Sequence, residues 1–307
     1  MRFLPEGGLI NTKENSNAFK SSDTMREAMH EQKILEAKAL LCSSNHDLIL
    51  DLNGFKGVIP REEGAIGIRE GHVRDIAILS RVNHPICFMI DEIQTDINGQ
   101  PVAFLSRRRA QERCHAEYIS NLKNGTVLDV VVTHIEPFGV FADIGCGIIS
   151  LLPIDSISIS RIDHPKERFA PGMKIKAIVK SQGGGRITLS HKELLGTWAQ
   201  NAEAFSAGET VSGIVRSVEN YGIFVELTPN LAGLAELREN IIPGQEVSVF
   251  IKSILPGRMK IKLIIIESFP RAPIIPKEPA YYFSENYMDI FHYSPPECEK
   301  KVFTVFE

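Results

Sequence analysis

Hydrophobic positions alternate with polar ones along most of the chain, and three stretches repeat the same order of short strands. Leu48-Ile49-Leu50-Asp51-Leu52 runs through Asn53-Gly54 into Phe55–Pro60. Phe141–Ile144 runs through Gly147 into Ile148–Pro153, and Ile223–Leu227 runs through Asn230 into Leu231–Glu236. Each is followed by a further strand (85–90, 173–179, 246–251), a turn (Asn98-Gly99, Gly183–Gly185, Pro256-Gly257) and a closing strand (102–106, 187–190, 259–263). A period of two predicts half-buried strands, and glycine-bearing breaks predict hairpins. Three units of about five short strands predict a mainly β protein of three tandem OB-type Greek-key barrels joined by short helices.

The expected division is a 1–33 arm with a short helix, barrels at 34–106, 123–192 and 207–266, linker helices at 107–122 and 193–206, and an aromatic tail at 267–307. Residues 1–21 are polar and rich in Gly, Asn and Ser, and predict an arm with little structure of its own. Ser22-Asp23 is expected to cap a helix from Thr24 to about Gln32, with Met25 and Met29 packing at i,i+4. Helix 107–122 carries Arg107, Arg108, Arg109 and Arg113; they form a solvated face or meet phosphates, the solvated face being the expectation. Ser190-His191-Lys192-Glu193 predicts a capping box for the second linker, with Trp198 as an anchor between barrels. The tail is expected to pack over the third barrel, with a further binding surface as the alternative.

One stretch occurs twice. The second glycine follows the first by 14 residues in both copies (Gly125 to Gly139, Gly208 to Gly222), and the copies lie 83 residues apart. An aromatic precedes the second glycine and a phenylalanine follows two residues later: Phe138 and Phe141, then Tyr221 and Phe224. Three residues apart, the two rings would fall on opposite faces of a regular strand; a glycine bulge between them would return both to one side, beside Asp143 or Glu226. Paired outward rings suit stacked bases, whereas a single phenylalanine reads more simply as core. The first unit has His46 and Ile49 where those rings fall, which favours a structural or protein-binding role.

At 307 residues and net charge −4, the chain is not coated in positive charge. The second repeat is the exception: residues 123–192 hold nine Lys and Arg against six Asp and Glu. Lys180 and Arg186 are its candidates for phosphate contact. Five scattered cysteines predict neither a disulfide framework nor a metal site, and fit a reducing cytoplasm. No membrane span, cofactor or catalytic motif is expected; Asp155, Asp163 and His164 read as capping residues before Pro165.

Phe138-Gly139-Val140-Phe141-Ala142-Asp143-Ile144-Gly145, His164-Pro165 and Arg186-Ile187-Thr188-Leu189-Ser190, with Tyr221-Gly222-Ile223-Phe224-Val225-Glu226, resemble the RNA-binding domain of bacterial ribosomal protein S-one. The resemblance covers about 34–266, weakest in the first unit, and is nearer the short three-repeat forms than the six-repeat form. It implies stacking of single-stranded RNA on Phe138 and Phe141 with Arg186, and on Tyr221 and Phe224 with Arg258. It implies a role in translation, holding mRNA at or near the small ribosomal subunit. The rival expectation is a protein-docking adaptor in a ribosome or RNA-decay assembly, its RNA contact incidental.

Overall fold

The computed structural model describes residues 3–270 and 275–307. It resolves into two compact units, one of 1–122 with 143–149 and the other of 123–142 with 150–307.

In the first unit, helices α1 (Lys13–Ala18) and α2 (Ser22–His30) precede strands β1 (Leu35–Cys42), β2 (Leu48–Leu52) and β3 (Phe55–Ile59). A short α3 (Ile76–Leu79), β4 (Pro85–Thr95), β5 (Pro101–Ser106) and α4 (Arg107–Glu117) complete it. The strands close in the order β1-β2-β3-β5-β4. Alternation drives this: Leu48, Leu50 and Leu52 point inward against Ile59, Phe88 and Leu105, all fully buried. Closure leaves no strand edge open for pairing.

The N-terminal arm is ordered, contrary to its composition. The buried Glu36 carboxylate accepts the N–H groups of Gly7, Leu9 and Ile10 at 3.2, 2.9 and 2.9 Å. These bonds join residues 26 to 29 positions apart, so local composition does not reveal them. Thr12 caps α1, and Ser21, one residue before the expected cap, forms a capping box with Thr24 on α2. Met25 is fully buried on the barrel, with Met29 packed beside it.

The second barrel is built of β6 (Val127–Glu136), β7 (Gly139–Asp143), β8 (Ile149–Pro153), β9 (Lys174–Gly183) and β10 (Arg186–Ser190), closed as β10-β8-β7-β6-β9. After α5 (Trp198–Ala202) come β11 (Thr210–Glu219), β12 (Gly222–Thr228), β13 (Leu231–Ala235), β14 (Glu246–Leu255) and β15 (Lys260–Phe269), closed as β11-β12-β13-β15-β14. A hairpin of β16 (Ile290–His292) and β17 (Phe303–Val305) ends the chain.

The second linker departs from expectation. The Ser190 hydroxyl reaches Glu193, but His191 makes no capping bond and the helix there is only a 3-10 turn, Lys192–Leu195. The true box is Thr197 with Gln200 at the start of α5. Trp198 is buried in a core that joins Ile178 of β9 to the third barrel. A side chain buried this fully contributes roughly 1.5–3 kcal/mol.

The tail packs over both barrels of this unit. Tyr287 bridges Thr126, and Val127 N–H donates to Asn286 O at 2.9 Å. Tyr281 Oη accepts from Lys176 N–H at 2.8 Å, while Tyr293 Oη donates to Asn230 O at 2.6 Å. Burial raises both phenols above their ordinary range, Tyr281 to about 12.

Candidate nucleic-acid interface

The two ring pairs sit on matching hairpins. Pro137-Phe138 is the turn between β6 and β7, and Asn220-Tyr221 that between β11 and β12. Val140 and Ala142, like Ile223 and Val225, point inward and are fully buried, which turns Phe141 and Phe224 outward. Phe138 is 56% exposed and Tyr221 69%. Ring centroids lie 6.0 Å apart at 89° in the first pair and 6.1 Å at 89° in the second. Edge-to-face pairing of this kind orients rings that would otherwise rotate freely.

In the third barrel no register shift falls at the glycine itself. Phe138 and Tyr221 precede their strands, in the turn, so strand alternation does not bind them. Between β11 and β12 the register shifts at Val215/Ser217, on the opposite strand. The glycine answers a different need. A Cβ on Gly139 would lie 2.6 Å from Leu152 O, and one on Gly222 2.6 Å from Ala235 O, so only glycine lets the next strand approach.

The register extends each outward phenylalanine position into a row. In the third barrel, Ser217 pairs with Phe224, Phe224 with Leu234, and Leu234 with Lys262. Lys262 is exposed, two strands or roughly 10 Å from Phe224. In the second barrel His134 lies beside Phe141, centroids 6.3 Å apart at 28°, and Leu151 pairs with Thr188. The matching row of the first barrel is Leu41, Ile49, Val58 and Phe104, all partly exposed. Neither His134 nor Lys262 stands out as a lone polar residue in a strand.

The expected cations are placed unevenly. Arg186 is exposed at the start of β10. Lys180 sits at a shift in the β9–β10 register, half-buried, and donates to Ser156 Oγ at 3.0 Å. Arg258 is exposed but lies in the 3-10 turn Pro256–Arg258. The counterpart of Arg186 is Lys260, which opens β15, because four residues link β14 to β15 where Gly184-Gly185 alone links β9 to β10. Setting Arg186-Ile187-Thr188-Leu189 against Lys260-Ile261-Lys262-Leu263 would have found it in the sequence.

Neither motif acid accompanies the rings in solvent. Each follows alternation outward, but its part of the face is covered. Asp143 accepts N–H groups from Glu6 at 2.7 Å and Gly145 at 2.8 Å, and burial together with the Glu6 charge raises its pKa. Glu226 accepts from Arg168 at 2.6 Å and Arg216 at 2.7 Å; Arg216 also pairs with Glu167. Burial opposes the charge on Glu167, but Arg216 holds its pKa below the ordinary value. Arg168 is therefore unavailable to phosphate. His164 caps the turn Pro165–Glu167, as its place before proline suggested.

Of the arginines of α4, Arg107 is buried, while Arg108, Arg109 and Arg113 are partly exposed and each is held by a carboxylate. Arg107 is buried against Glu6 at 2.7 Å, and Arg108 pairs with Glu63 and Glu112. Arg109 pairs with Asp91, and Arg113 with Glu117 at 2.8 Å. Among the described residues no group of three His, Cys, Asp or Glu could hold a metal ion, and no helix is long and apolar enough to cross a membrane.

Barrels of this strand order, with ring pairs on the second strand's hairpin, define a class: tandem OB-type β-barrel proteins with an aromatic outer face. The S1 RNA binding domain family matches residues 121–192, the barrel that carries His134, Phe138, Phe141 and Arg186. Small ribosomal subunit protein bS1 of Rhizobium meliloti is 31% identical over 230 residues, 70% of this chain and 39% of the relative. The protein of the same name from Rhodopseudomonas palustris is 34% identical over 209 residues, 65% and 36%. That of Staphylococcus aureus (strain COL) is 26% identical over 292 residues, 89% and 72%. The chain thus spans well under half the length of the first two relatives.

Proposed function

We propose that the chain binds single-stranded RNA by stacking bases on Phe138 and Phe141 and on Tyr221 and Phe224, and that it does so in translation, holding mRNA at the small ribosomal subunit in the cytoplasm. The observation that carries this reading is the repetition of one edge-to-face ring pair, with the same geometry and an exposed ring in the turn, on two barrels. A fold needs its inward residues; nothing in barrel packing requires an exposed ring at Phe138 or Tyr221. Every base offers a π-face, so such pairs take unpaired bases with little regard to sequence. Arg186, Arg258, Lys260 and Lys262 are exposed cations that could meet the backbone. The relatives' name, small ribosomal subunit protein, supports the site of action.

The test is a titration by fluorescence anisotropy with a uridine-rich single strand and with a hairpin stem. The single strand is expected to bind more tightly, and equal affinity would overturn the reading. A second reading attaches to the first barrel, whose row Leu41, Ile49, Val58 and Phe104 is apolar where the others bear stacking rings. That barrel docks on protein, so partners recovered through it from lysate survive nuclease treatment.

A further inference from the structure

We propose that His134 is a third base-stacking station of the second barrel, one the third barrel lacks. The inference rests on the reading of Phe138 and Phe141 as stacking residues and widens that site by one base.

Three observations carry it. First, the His134 ring lies 6.3 Å from Phe141 at 28°, and Phe138 meets the same Phe141 ring edge-on at 6.0 Å. Phe138, Phe141 and His134 thus form one continuous strip of rings across the hairpin. Second, the His134 side chain is 64% exposed, so packing of the barrel does not account for where it sits. Third, its counterpart 83 residues on is Ser217, which pairs directly with Phe224 and has no ring to offer.

The neighbouring carboxylate defines how the histidine acts. Glu136 Oε1 lies 2.6 Å from His134 Nε2. A hydrogen bond to a ring nitrogen lies in the ring plane, so it fixes the imidazole while leaving its faces open for stacking. His134 therefore contributes a face rather than a phosphate contact, and its contribution is insensitive to salt. Loss of a phosphate contact would instead lower the log–log salt slope by about 0.7 for a single strand.

The experiment uses the full chain and labelled oligouridines of increasing length, read by fluorescence anisotropy at a low and a higher salt concentration. His134→Ala is expected to weaken binding about fivefold or more with an unchanged salt slope. His134→Phe restores affinity. Ser217→His, placed in a chain already carrying Phe138→Ala and Phe141→Ala, tightens the remaining binding. This gain does not depend on the folding of the His134 variants. Parental binding by His134→Ala overturns the proposal, as does a loss accompanied by a shallower salt slope. If His134→Ala binds like the parent while the Phe138/Phe141 double variant does not, only the third station falls. If the double variant also binds like the parent, the aromatic reading itself falls.

Discussion

On the outer row of the second barrel, Phe141 has a histidine ring beside it; on the third, Phe224 has a serine beside it and, past Leu234, a lysine. The first barrel fills the same row with Leu41, Ile49, Val58 and Phe104. Inside, the barrels are more alike: leucine, isoleucine, valine and alanine predominate among the buried residues of each. Strand alternation is the reason. Successive side chains serve opposite faces, so the inward set can keep the barrel while the outward set changes its chemistry. One fold therefore presents a ring strip, a ring pair with a cation, and an apolar stripe.

The largest effect is expected where a motif residue belongs to the fold rather than to the surface. Glu226→Ala leaves Arg168 and Arg216 with their buried partner gone. Such a loss costs roughly 3–5 kcal/mol. Urea unfolding followed by Trp198 fluorescence should show it, and RNA affinity below the transition should not change. A stable variant with altered affinity would return Glu226 to the RNA face.

Phe138→Ala with Phe141→Ala should weaken RNA binding by at least an order of magnitude, at roughly 1–3 kcal/mol per stacked base. Tyr221→Ala with Phe224→Ala should cost less, because Ser217 adds no ring and Glu236 at the strand exit repels phosphate. Anisotropy on the folded variants decides, and the reverse ranking would break the comparison.

The two units should also answer pH in opposite directions. Burial lowers His191 to about 4 from its ordinary 6.5, with its Nδ1–H given to Ile157 O at 2.9 Å. The folded second unit thus keeps it neutral, and stability is lost as pH falls from 6.5 toward 4, about 2 kcal/mol by pH 5. Burial raises Glu36 of the first unit to about 7 from 4.5, against the pull of its Leu9 and Ile10 N–H bonds. Its penalty grows as pH rises from 4.5 to 7, so acidification to pH 5 relieves it. Trp198, the chain's one tryptophan, reports the second unit alone. Its melting midpoint should fall between pH 7 and pH 5; a flat profile would refute the assignment to His191.

The smallest effect belongs to Lys262→Ala. Removing one phosphate contact should weaken binding a few-fold and reduce the salt slope by about 0.7. An unchanged slope would mean that the cation in line with Phe224 does not meet the backbone.

The barrels were legible because their signals are local. Leu48, Leu50 and Leu52 announce a strand, Asn53-Gly54 a hairpin, and the pattern recurs. The ring pairs were legible for the same reason, and for their repetition. What escaped depends on distant partners. Arg107 looked like a surface cation until Glu6, 101 residues earlier, supplied its mate. The arm looked unstructured because Glu36, which orders it, lies beyond it in the chain. Arg258 lies short of β15 because four residues, not two, turn β14 into β15. His134 gains meaning only from the ring on the next strand.

The bridge between Thr126 and Tyr287 has a kinetic consequence. It closes a loop that contains all five strands of the second barrel and the whole of the third. Bringing such distant residues together is entropically costly until both barrels stand, so the contact forms late on the folding path. Interactions absent from the transition state act on the escape rate from the native state. Loosening Tyr287 should therefore speed unfolding while leaving refolding nearly as fast as before. The tail acts as a latch on persistence rather than as a guide to assembly.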